Sequence, residues 1–246
     1  MFEILFLAAV SIYFIQSAIF IIGINKKFKK LTDENLPSVS VIVAARNEED
    51  NIQDCMRSLN ELVYPDGKIE IIVVDDHSSD NTNQIVNQFI ADKPKFKCVV
   101  PSRAIGSLKG KANAIANAIE TAEGEVILTT DADCIVSPYW AKTLASYYQP
   151  DVAMVCGYTN QQESNLFYAM QSLDFIYLLG VAAGAMNLNK PLSCIGNNMS
   201  YRKSVYYEIG GYESLPFSVT EDFNLLMKIH SLQKYKIIYP LDANGL

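Results

Sequence analysis

The sequence predicts an α/β protein: a mostly parallel β-sheet with helices on both faces, preceded by one helix that crosses a membrane. Three observations carry this. From Ser38 onward, short apolar runs of strand length alternate with amphipathic stretches of helix length. Charged and amide side chains cluster just after those runs, where parallel α/β sheets place their ligands. Ahead of them, residues 4–24 are apolar apart from Gln16 and a few small polar side chains.

The N-terminal stretch would span roughly 31 Å as a helix, the thickness of a bilayer's hydrocarbon core. Lys26, Lys27, Lys29 and Lys30 follow at once. Such charge stays on the cytoplasmic side, so the rest of the chain is expected to be cytoplasmic. A cleaved secretory signal fits poorly, because Glu3 stands where basic residues belong and the apolar run is too long. Residues 1–25 therefore read as a transmembrane anchor in the cell membrane, and 26–37 as a basic and polar linker. Residues 38–246 read as the cytoplasmic domain.

Within that domain, Val39 to Ala44 reads as a strand. Asn47 then reads as the cap of a helix that has Glu48, Glu49 and Asp50 in its first turn and ends near Leu59. Tyr64-Pro65-Asp66-Gly67 is a turn. Ile69 to Val74 is the second strand and runs into Asp75-Asp76. A helix over Asn81 to Ala91, a strand over Phe96 to Val100 and an Ala-rich helix over Lys111 to Glu120 follow. Glu125 to Leu128 is the fourth strand. It leads to Thr129-Thr130-Asp131-Ala132-Asp133, after which Ser137-Pro138 would cap a helix. Asp151 to Tyr158 reads as a strand. Leu166 to Met186 is apolar but carries Gln171 and Asp174. A second membrane span there would put later residues on the opposite side from Asp133. An amphipathic helix on the sheet or at the membrane surface is expected instead. Ser193 to Asn198 is a loop or short strand, Gly210-Gly211-Tyr212 a turn, and Thr220 the cap of a helix opening with Glu221-Asp222.

Composition narrows the function. Half of the 246 residues are apolar, enough for a sizeable core, and the net charge of −7 argues against a nucleic-acid partner. The five cysteines are scattered, with no C-x-x-C pair, which argues against zinc and against a disulfide framework. His77 and His230 are the two histidines, too few for a His-built metal site.

The chemistry then rests on carboxylates and lysines at strand ends. In an extended chain Asp131 and Asp133 share a face, and two close carboxylates repel unless a cation lies between them. Hard oxygen ligands suit Mg²⁺ or Mn²⁺. The competing reading is a strand-end turn in which an Asp caps the next helix. Asp75 and Asp76 could accept from a nucleobase N–H or a ribose hydroxyl, or serve an Asx-turn. Lys109 and Lys111 flank Gly110 before a helix, where a phosphate could sit on backbone N–H groups. Glu221 and Asp222 could equally be first-turn acids that complement a helix dipole.

Taken in order, these stretches resemble the family-2 glycosyltransferases of GT-A fold, and among them the membrane-attached cellulose-, chitin- and hyaluronan-synthase-like members. The matching stretches are Val39-Ser-Val-Ile-Val-Ala-Ala-Arg-Asn-Glu-Glu, Ile71-Ile-Val-Val-Asp-Asp-His-Ser-Ser-Asp, Gly110-Lys-Ala-Asn-Ala, Thr130-Asp-Ala-Asp, Gly196-Asn-Asn-Met-Ser-Tyr-Arg, Gly210-Gly-Tyr and Thr220-Glu-Asp. The resemblance implies that Asp76, with Asp75, holds the uracil of a UDP-sugar, that Glu48 helps hold the nucleoside, and that Lys111 lies near the nucleotide. It implies that Asp131 contacts the sugar or nucleotide, and that Asp133 holds a Mg²⁺ or Mn²⁺ ion on the diphosphate. Asp222 would be the base, with Glu221 beside it, and Gly196 and Asn197 would lie near the acceptor. The reaction implied is an inverting transfer to a hydroxyl of a glycan or lipid-linked acceptor.

One departure stands out. Processive members carry a Gln-x-x-Arg-Trp motif and further membrane helices after Thr-Glu-Asp, whereas here Trp140 is the one tryptophan. Residues 38–246 are thus expected to be either truncated at the C-terminus or without that acceptor-stacking element. Two other classes share part of the pattern. A nucleotidyltransferase of related fold would use a nucleoside triphosphate, and a receiver-type signalling domain would be shorter, with no later Asp-x-Asp or Glu-Asp.

Overall fold

The computed structural model describes residues 1–161, 165–216 and 220–245. In chain order the elements are α1 (Phe2–Ile24), β1 (Val39–Ala45), α2 (Ile52–Asn60), β2 (Ile69–Asp75), α3 (Thr82–Ile90), β3 (Phe96–Val99), α4 (Gly110–Thr121) and β4 (Val126–Asp131). They continue with α5 (Trp140–Ser146), β5 (Val152–Cys156), α6 (Leu166–Asn187), β6 (Met199–Arg202), α7 (Lys203–Glu208), α8 (Glu221–Ser231) and β7 (Lys236–Ile238).

The strands form one sheet in the order β3-β2-β1-β4-β6-β5-β7. β1 runs parallel to β2 and β4, β2 to β3, and β5 to β7. Among the described strands only β6 is reversed, antiparallel to both β4 and β5. The carboxyl ends of β1, β2, β4 and β5 therefore share one edge. Alternation along each strand divides the core between two faces. Val41, Val43, Ile71, Val73 and Leu128 pack with α2, α3 and α5, while Ile42, Ile72, Val74 and Ile127 pack with α4, α6, α7 and α8. The expected parallel sheet covered on both faces is present, with one antiparallel strand in it.

Local expectations fail at four places, each for a visible reason. Asn47 caps nothing. It sits in the left-handed region at φ 57, and α2 begins only at Ile52. Its Oδ1 accepts from the Ser79 N–H at 2.8 Å, and the Glu48 N–H donates to Thr82 Oγ1 at 2.8 Å. Bonds to the loop after β2 thus keep this segment out of the helix. Ser137 is no cap either: its Oγ donates to Asn244 O, and α5 opens at Trp140. The connection over residues 26–37 is not a free linker, since Leu36 is buried, Leu31 N donates to Ser146 O, and Lys30 pairs with Asp242. Finally, α6 is not amphipathic along its length. Leu179, Ala182, Ala183 and Met186 are buried, whereas Leu166, Met170 and Leu173 are exposed.

Among the described residues two helices, α1 and α6, are long and apolar enough to cross a membrane by length and composition. They pack on each other at glycines. A Cβ on Gly23 would lie 2.0 Å from Gly184 O, and one on Gly184 would lie 2.7 Å from Phe20 O. Asn187 Nδ2 donates to Gly23 O at 3.2 Å and so ties the ends of the pair together.

Candidate active site

The sheet's carboxyl edge gathers most of the charged residues singled out from the sequence. β4 ends at Asp131, and the Cys134 N–H closes a turn onto Asp131 O at 3.1 Å. Asp133 therefore lies in a turn rather than in extended chain, so the strand-alternation argument for the pair does not hold. The two carboxylates nevertheless line the same spaces. A cleft of about 290 Å³ is lined by Ala44, Arg46, Glu48, Asp76, Gly110, Lys111, Asp131 and Asp133, among others. A second cleft, of about 590 Å³, is lined by Asn51, Asp54, Asp131, Asp133, Thr159, Asn160, Gln161, Phe175 and Asn197, among others. Asp131 and Asp133 belong to both, so they form the wall where the clefts meet.

In the smaller cleft two cations, Arg46 and Lys111, face four carboxylates, Glu48, Asp76, Asp131 and Asp133. Lys111 at the start of α4 pairs with Asp131, and Arg46 Nη1 lies 3.6 Å from Asp76 Oδ2. Glu48 Oε2 accepts from Asn51 Nδ2 at 3.0 Å. Gly110 has φ 53, and a Cβ built on it would meet nothing within 4 Å. This left-handed residue lets α4 begin beside open space, with Lys111 over the carboxylates. Asp75 is different. It is buried, and its oxygens accept from the Ser78 N–H at 3.1 Å and from Asn83 Nδ2 at 2.8 Å. It shapes the loop, and among the two acids it is Asp76 that lines the cleft.

In the larger cleft, Asn197 Oδ1 accepts from Thr159 Oγ1 at 3.0 Å. Gly196 O accepts from Thr129 Oγ1 at 2.7 Å, which fixes this turn to β4 two residues before Asp131. Asp222, in the first turn of α8, stands behind it, with Oδ2 3.6 Å from a Cβ built on Gly196. Glu221 and Asp222 are both half-buried. Asn198 locks the turn from the other side: it accepts from Trp140 Nε1 at 3.0 Å and donates to Tyr158 O at 2.9 Å.

Two cysteines lie close to this acidic wall. Burial and then the neighbouring carboxylates Asp133 and Asp131 push the Cys134 thiol up to about 11. Cys55, behind the turn, is pushed up to about 12 by burial first, then by Cys134 and these acids. No group of three His, Cys, Asp or Glu side chains that could hold an ion by themselves occurs among the described residues. Two carboxylates on an open wall fit a hard divalent cation that takes its remaining ligands from water and a diphosphate. They do not fit a closed structural site.

Sequence reasoning missed Asn51, Asp54, Thr159, Asn160 and Gln161. The last three follow β5, whose carboxyl end lies on the same edge as Asp131. The strand-end rule covered them, but uncharged amides drew no notice.

Carboxylates, a lysine and a helix start on the carboxyl edge of a mostly parallel α/β sheet stand where such sheets bind their ligands. Residues 40–210 match the family described as Glycosyl transferase family 2, and the chain belongs to that family. It is 27% identical over 241 residues to the poly-beta-1,6-N-acetyl-D-glucosamine synthase of Staphylococcus epidermidis, covering 93% of this chain and 56% of that protein. It is 27% identical over 224 residues to the probable glycosyltransferase YdaM of Bacillus subtilis, covering 84% of this chain and 50% of that one. The chain thus spans about half the length of these curated relatives. Among solved structures, the mannosyltransferase PcManGT from Pyrobaculum calidifontis, in complex with GDP-Man and Mn²⁺, superposes with a TM-score of 0.71 at 22% identity, over 95% of this chain and 66% of that one. S. aureus TarS in complex with UDP-GlcNAc superposes with a TM-score of 0.57 at 23% identity, over 83% of this chain and 56% of that one. These two share the GT-A fold with the chain.

Proposed function

We propose that the chain moves a sugar from a UDP-sugar to a hydroxyl of a glycan or lipid-linked acceptor, with inversion and with a bound Mg²⁺ or Mn²⁺. It works attached to the cell membrane through α1, with the domain after residue 37 on the cytoplasmic side. The observation that carries the reading is the pair of clefts meeting at Asp131 and Asp133. One cleft offers the groups a nucleoside diphosphate needs, and the other is lined by the amides and hydroxyl that a sugar would bond.

In the donor cleft, Asp76 accepts from the base N–H, with Arg46 holding its carboxylate in place and Glu48 against the nucleoside. Lys111 exchanges Asp131 for a diphosphate oxygen, and Asp131 turns to the sugar or nucleotide. Asp133, with Asp131 beside it, would hold the cation, which when bound would stabilise the charge developing on the leaving diphosphate. Asn197 and Asn160 line the acceptor side, with Gly196 next to Asn197 in the chain. Asp222 takes the acceptor hydroxyl's proton as that oxygen attacks the anomeric carbon and the bond to the diphosphate oxygen breaks, with Glu221 beside it. A panel of UDP- and GDP-sugars tests the donor: release of UDP from one UDP-sugar, with an inverted anomeric configuration in the product, is the expected result. Release of GDP alone would replace uracil by guanine in the reading, and a triphosphate requirement would make the chain a nucleotidyltransferase.

A further inference from the structure

The larger cleft has a side pocket of about 100 Å³. Cys134, Ile135, Thr159, Asn160 and Asn197 line both spaces. Thr130, Val136, Trp140 and Asn198 complete the walls of the smaller one. Strand alternation puts Thr130 on the face of β4 that carries Val126 and Leu128, toward α5 and Trp140. The polar groups of Asn198 are spent. It accepts from Trp140 Nε1 at 3.0 Å and donates to Tyr158 O at 2.9 Å and to Gly245 O at 3.0 Å. Asn197 is engaged as well, with its Oδ1 on Thr159 and its Nδ2 on Cys134 Sγ. Thr130 differs from both. It is 2% exposed, and its Oγ1 has no hydrogen-bond partner among the described residues. A buried hydroxyl without a partner costs stability, and valine would fill the same space without that cost. The hydroxyl lines the pocket and is free to donate into it.

We propose that this side pocket holds the acetamido group of an N-acetylated amino sugar in the acceptor, and that Thr130 is the residue that selects it. The proposal rests on the assignment of the larger cleft to the acceptor made above. Size and polarity single out the group. The volume is room for about three water molecules at about 30 Å³ each. A hydroxyl or an ammonium substituent would fill a small part of it. A carboxylate would be repelled by Asp133, whose neighbour Cys134 lines the pocket. An acetamido group brings one acceptor, one donor and one methyl. Its carbonyl accepts from Thr130 Oγ1. Its N–H donates to Thr159 Oγ1, which gives its own hydrogen to Asn197 Oδ1 at 3.0 Å and keeps its lone pairs. Its methyl meets Ile135, Val136 and Trp140. Water is the competing occupant. It would satisfy Thr130 equally for every acceptor and so would give no preference. Thr130 directly precedes Asp131, so the strand end that carries the shared wall also sets the acceptor ring against it.

The test measures sugar binding by calorimetry, with the full chain in detergent and saturated with UDP and Mn²⁺. N,N′-diacetylchitobiose and cellobiose share one linkage and differ in carrying acetamido or hydroxyl groups. Wild type should bind the acetylated disaccharide at least about tenfold more tightly. Thr130→Val keeps the shape and removes the donor. It should weaken diacetylchitobiose roughly tenfold and leave cellobiose unchanged. Its urea midpoint should rise, because an unpartnered buried hydroxyl has gone. A purely structural role for Thr130 predicts the reverse: a lower midpoint, with both sugars weakened alike. That result, or a preference untouched by the variant, overturns the proposal. Equal binding of the two disaccharides by wild type overturns it and leaves the acceptor cleft standing. A preference for UDP-N-acetylglucosamine over UDP-glucose that Thr130→Val abolishes would move the acetamido group to the donor and overturn it too. Binding of neither disaccharide, with UDP bound normally, overturns both this proposal and the acceptor reading of the cleft.

Discussion

At the scale of single residues, the strongest claims fall on Asp133 and Asp222. Asp133→Ala removes one carboxylate from the shared wall and leaves the sheet untouched. It should abolish turnover and the Mn²⁺ dependence of UDP binding while the circular dichroism spectrum is unchanged. UDP binding equal to wild type by calorimetry, with and without Mn²⁺, would show that Asp133 holds no cation. Asp222→Asn keeps size and loses the proton-accepting role. A base used only in transfer contributes little to holding the donor. Donor and Mn²⁺ affinity should therefore stay near wild type while turnover falls by roughly 10²–10⁴, the usual contribution of a positioned base. If Asp222 only complements the α8 dipole, the variant loses at most about 1 kcal/mol of stability and keeps its rate. More than about a tenth of wild-type turnover in the variant would move the assignment to Glu221.

At the scale of elements, the strand ends were legible and the loops between them were not. Arg46, Asp76, Lys111, Asp131 and Asp133 could be put on one edge from sequence because parallel strands bring their carboxyl ends together whatever the loops do. The late start of α2 was hidden. It depends on Asn47 bonding to Ser79, a partner 32 positions away that no local propensity reveals. β6 and β7 are short and lie in the irregular second half, where three- and four-residue strands carry too little periodicity to see. The opposite edge of the sheet has its own polar device. Glu70 on β2 accepts from Ser40 Oγ and from the Glu123 N–H, both at 2.5 Å, and pairs with Lys97 at 2.8 Å, tying β1, β2, β3 and the turn before β4. Burial pushes this carboxyl up, but the bonds from Lys97, Ser40 and Glu123 outweigh burial and hold it below the usual carboxylate range. A depressed folded-state pKa contributes stability that is present above the unfolded value, about 4.3 for Glu, and lost as pH falls through the folded one. The urea midpoint of the wild type should therefore drop as pH is lowered below about 4.3, and Glu70→Gln should flatten that drop. Equal slopes for the two proteins would remove Glu70 from the acid sensitivity.

At the scale of the molecule, the arrangement is an α/β domain with its reactive edge on one side and a parallel helix pair rising beside the larger cleft. The shared wall has a consequence in time as well as in space. Asp131 is held by Lys111, and Asp54, Asp131 and Asp133 put three carboxylates on the floor of the larger cleft. On the function proposed above, the diphosphate would draw Lys111 away and the cation would neutralise Asp131 and Asp133, making that floor part of a sugar-binding surface. The two substrates should therefore load in a compulsory sequence, donor first. Steady-state product inhibition reads this directly: UDP should compete with the donor and act as a mixed inhibitor toward the acceptor. Competition between UDP and acceptor would mean that either substrate can enter first, and that Asp131 and Asp133 separate two independent rooms instead of making one the doorway to the other.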